Sequence, residues 1–67
     1  MTLSMPAYLE VERDLFKALE KCDYSDVVVA RKRETDPERR AQINELLRFN
    51  RKVWLEFPNM TVGDITS

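Results

Sequence analysis

Residues 36–57, which read DPERRAQINELLRFNRKVWLEF, contain both the start and the stop signals of a helix. Asp36 can accept hydrogen bonds from the free amides of the first turn, and Pro37 suits the first helical position. Pro58 ends the helix, because a proline disfavours α geometry in the residue that precedes it. The pattern predicts a long helix that packs one stripe of side chains against a partner surface. That stripe is apolar except for one amide and consists of Ile43, Leu46, Leu47, Asn50, Val53, Trp54 and Phe57.

The N-terminal part of the chain predicts a second amphipathic helix, from about Pro6 to Cys22. Ser4 is the candidate cap of this helix, and residues 1–5 form a short lead-in. At the other end of the chain, residues 58–67 show no sustained period, which is typical of a flexible tail. The apolar residues that recur at helical spacing in the N-terminal helix are Tyr8, Val11, Leu15, Ala18 or Leu19, and Cys22.

The segment between the two predicted helices, residues 23–35, has two interpretations. The β-branched run Val27-Val28-Val29 is compatible with a short strand. Ser25 and Asp26 before it, with cations after it, indicate a short capped helix instead. We favour the helix, because the chain contains no second strand candidate for pairing.

The composition agrees with an all-α fold. Gly63 is the only glycine, whereas a β-rich protein of this length needs several glycines for its turns. We therefore predict one small domain, residues 1–67, built as a hairpin of two main antiparallel helices with a short helical connection. A core of this size leaves a thin margin of stability, so we expect a homodimer or stabilisation by a partner.

The cysteine content indicates the cellular compartment, whereas the net charge does not indicate a particular class of partner. The chain holds 11 Lys and Arg against 12 Asp and Glu, and residues 27–52 carry a local excess of 8 basic over 4 acidic groups. Cys22 is the single cysteine, which excludes an internal disulfide and favours a reducing compartment. Because no secretory leader and no membrane-length apolar run is visible, we predict a cytoplasmic protein without membrane contact.

The residues needed for common catalytic and metal sites are missing from the sequence. Histidine is absent, which removes the usual general base and metal ligand. There is no glycine-rich phosphate loop and no serine in a nucleophile elbow. We therefore predict a non-enzymatic protein that uses neither a cofactor nor a metal ion.

A nucleic-acid-binding protein and a phage-type inhibitor of a host protein are the two alternatives to a protein-binding adaptor or regulator. A nucleic-acid-binding protein would place basic side chains on phosphates. In the purely structural interpretation, these side chains form ion pairs with neighbouring glutamates. A phage-type inhibitor would instead cover a host protein with its acidic N-terminal helix. The candidate phosphate contacts are Arg31, Lys32, Arg33, Arg39 and Arg40.

The C-terminal half of the long helix supplies the candidate residues for binding a protein. Trp and Arg are favoured anchors at interfaces, so Arg51 and Trp54 are the first candidates, with Asn50 and Phe57 beside them. The structural alternative makes Trp54 part of the core and lets Asn50 hydrogen-bond the connecting segment and fix the register of the helices. The predicted function is a protein-binding adaptor or chaperone-like regulator.

The run from Leu46 to Phe57, LLRFNRKVWLEF, resembles the signature of the FlaF flagellar regulators of alphaproteobacteria. Asn50, Arg51, Lys52 and Trp54 match that signature, and Val53 replaces a leucine. The valine triplet and the run Arg31-Lys32-Arg33 depart from the family pattern. The resemblance implies a small helical cytoplasmic regulator that binds flagellin without catalysis, with Asn50, Arg51 and Trp54 in its core or in its flagellin-facing groove.

Overall fold

The computed structural model describes residues 11–66, and it is all-helical over that range, without a strand. The all-α prediction is confirmed at this level. The predicted lead-in, residues 1–5, lies outside the described residues. The first helix, predicted from about Pro6 to Cys22, is shorter than expected: residues 11 and 12 are not helical, and the helix spans Arg13–Leu19. Five helices are present between residues 11 and 66: α1 (Arg13–Leu19), α2 (Tyr24–Arg33), α3 (Pro37–Phe49), α4 (Arg51–Glu56) and α5 (Val62–Thr66).

The connection between the first and the third helix is a full helix, as the favoured interpretation of residues 23–35 required. Asp23, rather than Ser25, caps α2, because its carboxylate accepts a hydrogen bond from the Asp26 amide at 3.1 Å. The last turn of α2 contains three cations, which suit the negative end of the helix dipole. Val27 is fully buried and belongs to the core.

The long helix predicted for residues 36–57 begins as expected but is interrupted at Asn50. The Asp36 carboxylate accepts a hydrogen bond from the Glu38 amide at 3.1 Å, and Pro37 occupies the first turn of α3. Asn50 has φ −104° and ψ 18°, so α3 ends before it and α4 begins after it. The Trp54 amide still donates to the Asn50 carbonyl at 3.1 Å, which keeps α4 close to the course of α3.

The segment predicted to be a flexible tail forms a short helix that docks on the rest of the fold. The Val62 amide donates to the Cys22 carbonyl at 2.9 Å, and the Gly63 amide donates to the Glu20 carbonyl at 2.8 Å. Val62 is 1% exposed. A Cβ atom at Gly63 would lie 3.1 Å from the Glu20 carbonyl oxygen, so glycine permits the close approach of α5 to the end of α1. The prediction for this tail overlooked tertiary hydrogen bonds that leave no periodic pattern.

One core joins all five helices, instead of the predicted face between two main helices. Because helix α3 supplies three of its members and packs principally on α2, it forms the centre of the fold. No helix within residues 11–66 has both the length and the apolar character to cross a bilayer. The buried apolar side chains are Leu15, Leu19, Val27, Ile43, Leu46, Leu47, Trp54 and Val62.

Candidate functional site

Trp54, the first sequence candidate for partner contact, is a core residue. Its side chain is 3% exposed, and the indole Nε1–H donates to the Met60 carbonyl at 2.8 Å. The Tyr24 ring lies against it, with 5.7 Å between ring centroids and 57° between ring planes. Trp54 therefore belongs to the core, as the structural alternative stated, and it joins α4 to Tyr24 of α2 and to the segment before α5.

Asn50, the second candidate, is buried as well. Its side-chain Nδ2–H donates to the Leu46 carbonyl at 3.0 Å, and its backbone amide donates to the same carbonyl at 3.2 Å. The Asn50 side chain thus bonds the last turn of its own helix, α3. It does not hydrogen-bond the connecting segment, residues 23–35, as the structural alternative required. An asparagine that bonds its own backbone favours a break in the helix. This bonding accounts for the interruption between α3 and α4.

Arg51 and Phe57, the other two candidates, lie on the surface, and α4 adds the exposed Leu55, about one helical turn after Arg51. Leu55 is 73% exposed and Phe57 is 54% exposed. Successive residues on a helix are rotated by about 100°, so the inward position of Trp54 turns Leu55 towards solvent. Leu55 was not among the residues predicted to bind a partner, because it lies outside the apolar stripe of the helix. A leucine outside such a stripe is the sequence signal of an exposed apolar side chain.

Two adjoining clefts lie along α2, α3 and α4, and Tyr24 and Arg51 line both of them. The first has a volume of about 200 Å³ and is completed by Trp54 and Leu55. The second has a volume of about 290 Å³. We name the two together the α2–α4 groove. The residues that complete the second cleft are Arg31, Asn44, Leu47 and Arg48.

The α2–α4 groove has an aromatic and aliphatic end and a basic end. At the basic end, Arg48 pairs with Glu45 at 2.8 Å, and Arg31 donates a long hydrogen bond of 3.5 Å to the Asn44 side-chain oxygen. Arg51 forms no ion pair with any described residue. Arg31 and Arg51 therefore leave two positive charges in the groove without a carboxylate partner in the described part of the chain.

The five residues predicted to contact nucleic acid do not form one unpartnered surface. Arg39 pairs with Glu12 at 2.8 Å, and this contact lowers the pKa of the Glu12 carboxyl and raises the pKa of Arg39. The Arg40 guanidinium donates to the Glu34 carbonyl at 2.8 and 3.2 Å. Lys32 and Arg33 are exposed near the end of α2, and only Arg31 of the five lines the α2–α4 groove.

A third cleft, larger than the two of the α2–α4 groove, lies between α1 and α2 and has a different character. Its volume is about 530 Å³, and its walls include Leu15, Leu19 and Cys22. Acidic Asp14 and Asp26 line it together with basic side chains, so its charge is mixed. Burial raises the pKa of the Cys22 thiol, and the nearby carboxylates raise it further, which keeps the thiol protonated at neutral pH.

No protein-family profile, curated protein sequence or solved structure matches this chain. Within residues 11–66, no group of three or more His, Cys, Asp or Glu side chains is placed to hold a metal ion. The chemistry of the α2–α4 groove is therefore the basis for a proposed function.

Proposed function

We propose that this chain is a non-enzymatic protein-binding module whose contact surface is the α2–α4 groove with the exposed side of α4. The observation that carries the proposal is Leu55, which is 73% exposed at the edge of a cleft that also contains the Trp54 ring and the free guanidinium of Arg51. Aromatic and Arg side chains next to an apolar anchor are the usual composition of an interface centre.

A partner that covers this surface gains binding free energy from the burial of its apolar side chains. Burying a leucine or phenylalanine side chain stabilises a complex by about 1.5–3 kcal/mol. Leu55 and Phe57 are both more than half exposed, so each retains much of that gain for a bound partner. A module of 67 residues offers room for a small interface, which suits a regulator or adaptor that binds and releases its partner.

The most specific form of the proposal is a flagellin-binding regulator of flagellin synthesis. Its support is the resemblance of Asn50-Arg51-Lys52-Val53-Trp54 to the FlaF signature. In the structure, Asn50 lies at the α3–α4 break, Trp54 lies in the core, and Arg51 and Lys52 lie exposed. An amphipathic flagellin end is the type of helix that an apolar groove accommodates. A binding assay with purified bacterial flagellin tests this form directly.

A second copy of the chain is the other occupant to be tested, since a homodimer was expected from the small size of the core. If Leu55 and Phe57 cover each other in a dimer, the apparent melting temperature rises with protein concentration. A melting temperature that does not depend on concentration excludes this form and leaves the surface for another protein.

The experiment that tests the proposed function is a capture assay with the wild type beside the variant Leu55→Ser combined with Arg51→Ala. Neither change touches the buried core, so circular dichroism should show that the variant folds. The matched control is Lys52→Ala, because Lys52 is exposed on α4 but lines neither cleft. We expect the variant to lose a protein that the wild type and the control retain. Equal capture by all three proteins would refute the proposal.

A further inference from the structure

We propose that the α2–α4 groove selects a partner segment in which acidic side chains lie next to an apolar one. This inference rests on the proposed function, because it names the chemistry of the segment that the same surface binds. It follows from the division of the groove into two ends that share Tyr24 and Arg51.

The basic end supplies the charge complementarity. Arg31 and Arg51 line it without a carboxylate partner among residues 11–66, and Arg48 holds only an exposed pair with Glu45. An exposed pair of this kind is weak and exchanges readily. A guanidinium binds a carboxylate through two parallel hydrogen bonds, so this end is built for Asp or Glu side chains. Asn44 accepts from Arg31 through its oxygen, which leaves its N–H groups as further donors.

The apolar end of the groove determines which type of side chain must lie beside the acidic group of the ligand. Its cleft of about 200 Å³ is formed by the Tyr24 and Trp54 rings with Leu55. That volume accepts one large aliphatic or aromatic side chain. Because Arg51 lines both clefts, the acidic and the apolar groups of the ligand have to be close neighbours in space.

A nucleic acid fits this surface less well than an acidic protein segment. Arg39 and Arg40, which would extend a phosphate track, line neither cleft of the groove. The basic side chains that line the groove, Arg31, Arg48 and Arg51, border one short cleft, whereas a strand of nucleic acid needs a longer track.

The test is a selection from a displayed library of short random peptides, carried out with the full chain. We expect the recovered peptides to be enriched in Asp and Glu next to Leu, Ile, Phe or Trp. Binding of a synthetic copy should weaken about tenfold or more in Arg51→Glu, in line with the loss of a charge-assisted hydrogen bond. The neighbouring control Lys52→Glu changes the net charge equally but lies outside both clefts, so it should weaken binding far less. Circular dichroism should show that both variants fold, because an acidic residue in the first turn of α4 suits the helix dipole.

The outcomes separate this inference from the proposed function. Enriched peptides without acidic residues, or equal losses in Arg51→Glu and Lys52→Glu, would overturn the inference and leave a protein-binding module. Failure of the folded wild type to enrich any peptide would overturn both. Tighter binding of a single-stranded oligonucleotide than of the selected acidic peptide would overturn both in favour of nucleic acid.

Discussion

Replacement of Trp54 by phenylalanine tests whether this ring holds the C-terminal part of the fold in place. The change keeps an aromatic ring but removes the indole Nε1–H that donates to the Met60 carbonyl at 2.8 Å. It also leaves space where the larger ring, which is 3% exposed, filled the core. The variant therefore loses a hydrogen bond and part of its packing at once.

The expected loss of stability is about 1–3 kcal/mol from the hydrogen bond alone, and the lost packing adds to it. The hydrogen-bond cost arises because the partly buried Met60 carbonyl is left without its donor. Stability of about 0.05–0.15 kcal/mol per residue gives a chain of 67 residues about 3–10 kcal/mol in total. The variant should remain folded, whereas Trp54→Ala, at about 3–5 kcal/mol, should unfold a large fraction of the protein.

The assay is urea unfolding followed by far-ultraviolet circular dichroism, since Trp54 is the only tryptophan and its fluorescence is lost in the variant. Leu55→Ala is the matched control, because it alters the next residue, whose side chain is 73% exposed, and should change stability by less than about 0.5 kcal/mol. If Trp54→Phe is as stable as the control, the ring does not anchor the segment before α5 and the placement of Trp54 in the core is refuted.

Three further predictions concern the tail, the ion pair and the cysteine. Val62→Ala should cost about 2 kcal/mol in urea unfolding, because a fully buried side chain is truncated, and a cost near zero would restore the flexible tail. Arg39 holds the pKa of the Glu12 carboxyl below its ordinary value of 4.5. The pair therefore stabilises the fold above that pH, and its contribution fades as the pH falls through the lowered pKa. Glu12→Gln should be less stable than the wild type at neutral pH, and its stability should fall less steeply on the acid side of the pH profile. Burial and the carboxylates beside it raise the pKa of Cys22, so iodoacetamide should modify it more slowly at neutral pH than it modifies a free thiol, and an equal rate would contradict this environment.

The features of the fold that depend on interactions within one helical turn could be predicted from the sequence. The cap at Asp36 with Pro37 behind it, and the helical character of residues 23–35, follow from side-chain hydrogen bonds and dipoles that act within one turn. The all-α class follows from the same signals with the lack of turn glycines. The interruption at Asn50 follows from a choice between two local hydrogen-bond patterns, which the helical spacing of the stripe did not reveal.

The site was predicted only in part, because the face that a residue turns towards solvent depends on long-range packing. Arg51 and Phe57 are exposed as a partner surface requires, but Trp54 is buried by Tyr24 and by the segment that leads to α5. That segment docks through backbone amides of Val62 and Gly63, and backbone hydrogen bonds of this kind have no residue signature. Exposure of Leu55 follows from the same arrangement, so the most exposed part of the surface was missed.

The most direct test of protein binding in the α2–α4 groove is an NMR titration of the wild-type chain with the acidic peptide recovered from the library. The account predicts that the largest amide shifts fall on Tyr24, Arg51 and Leu55, together with the indole N–H signal of Trp54. Shifts confined to the cleft between α1 and α2, around Leu15 and Ala18, with the groove signals unchanged, would contradict it.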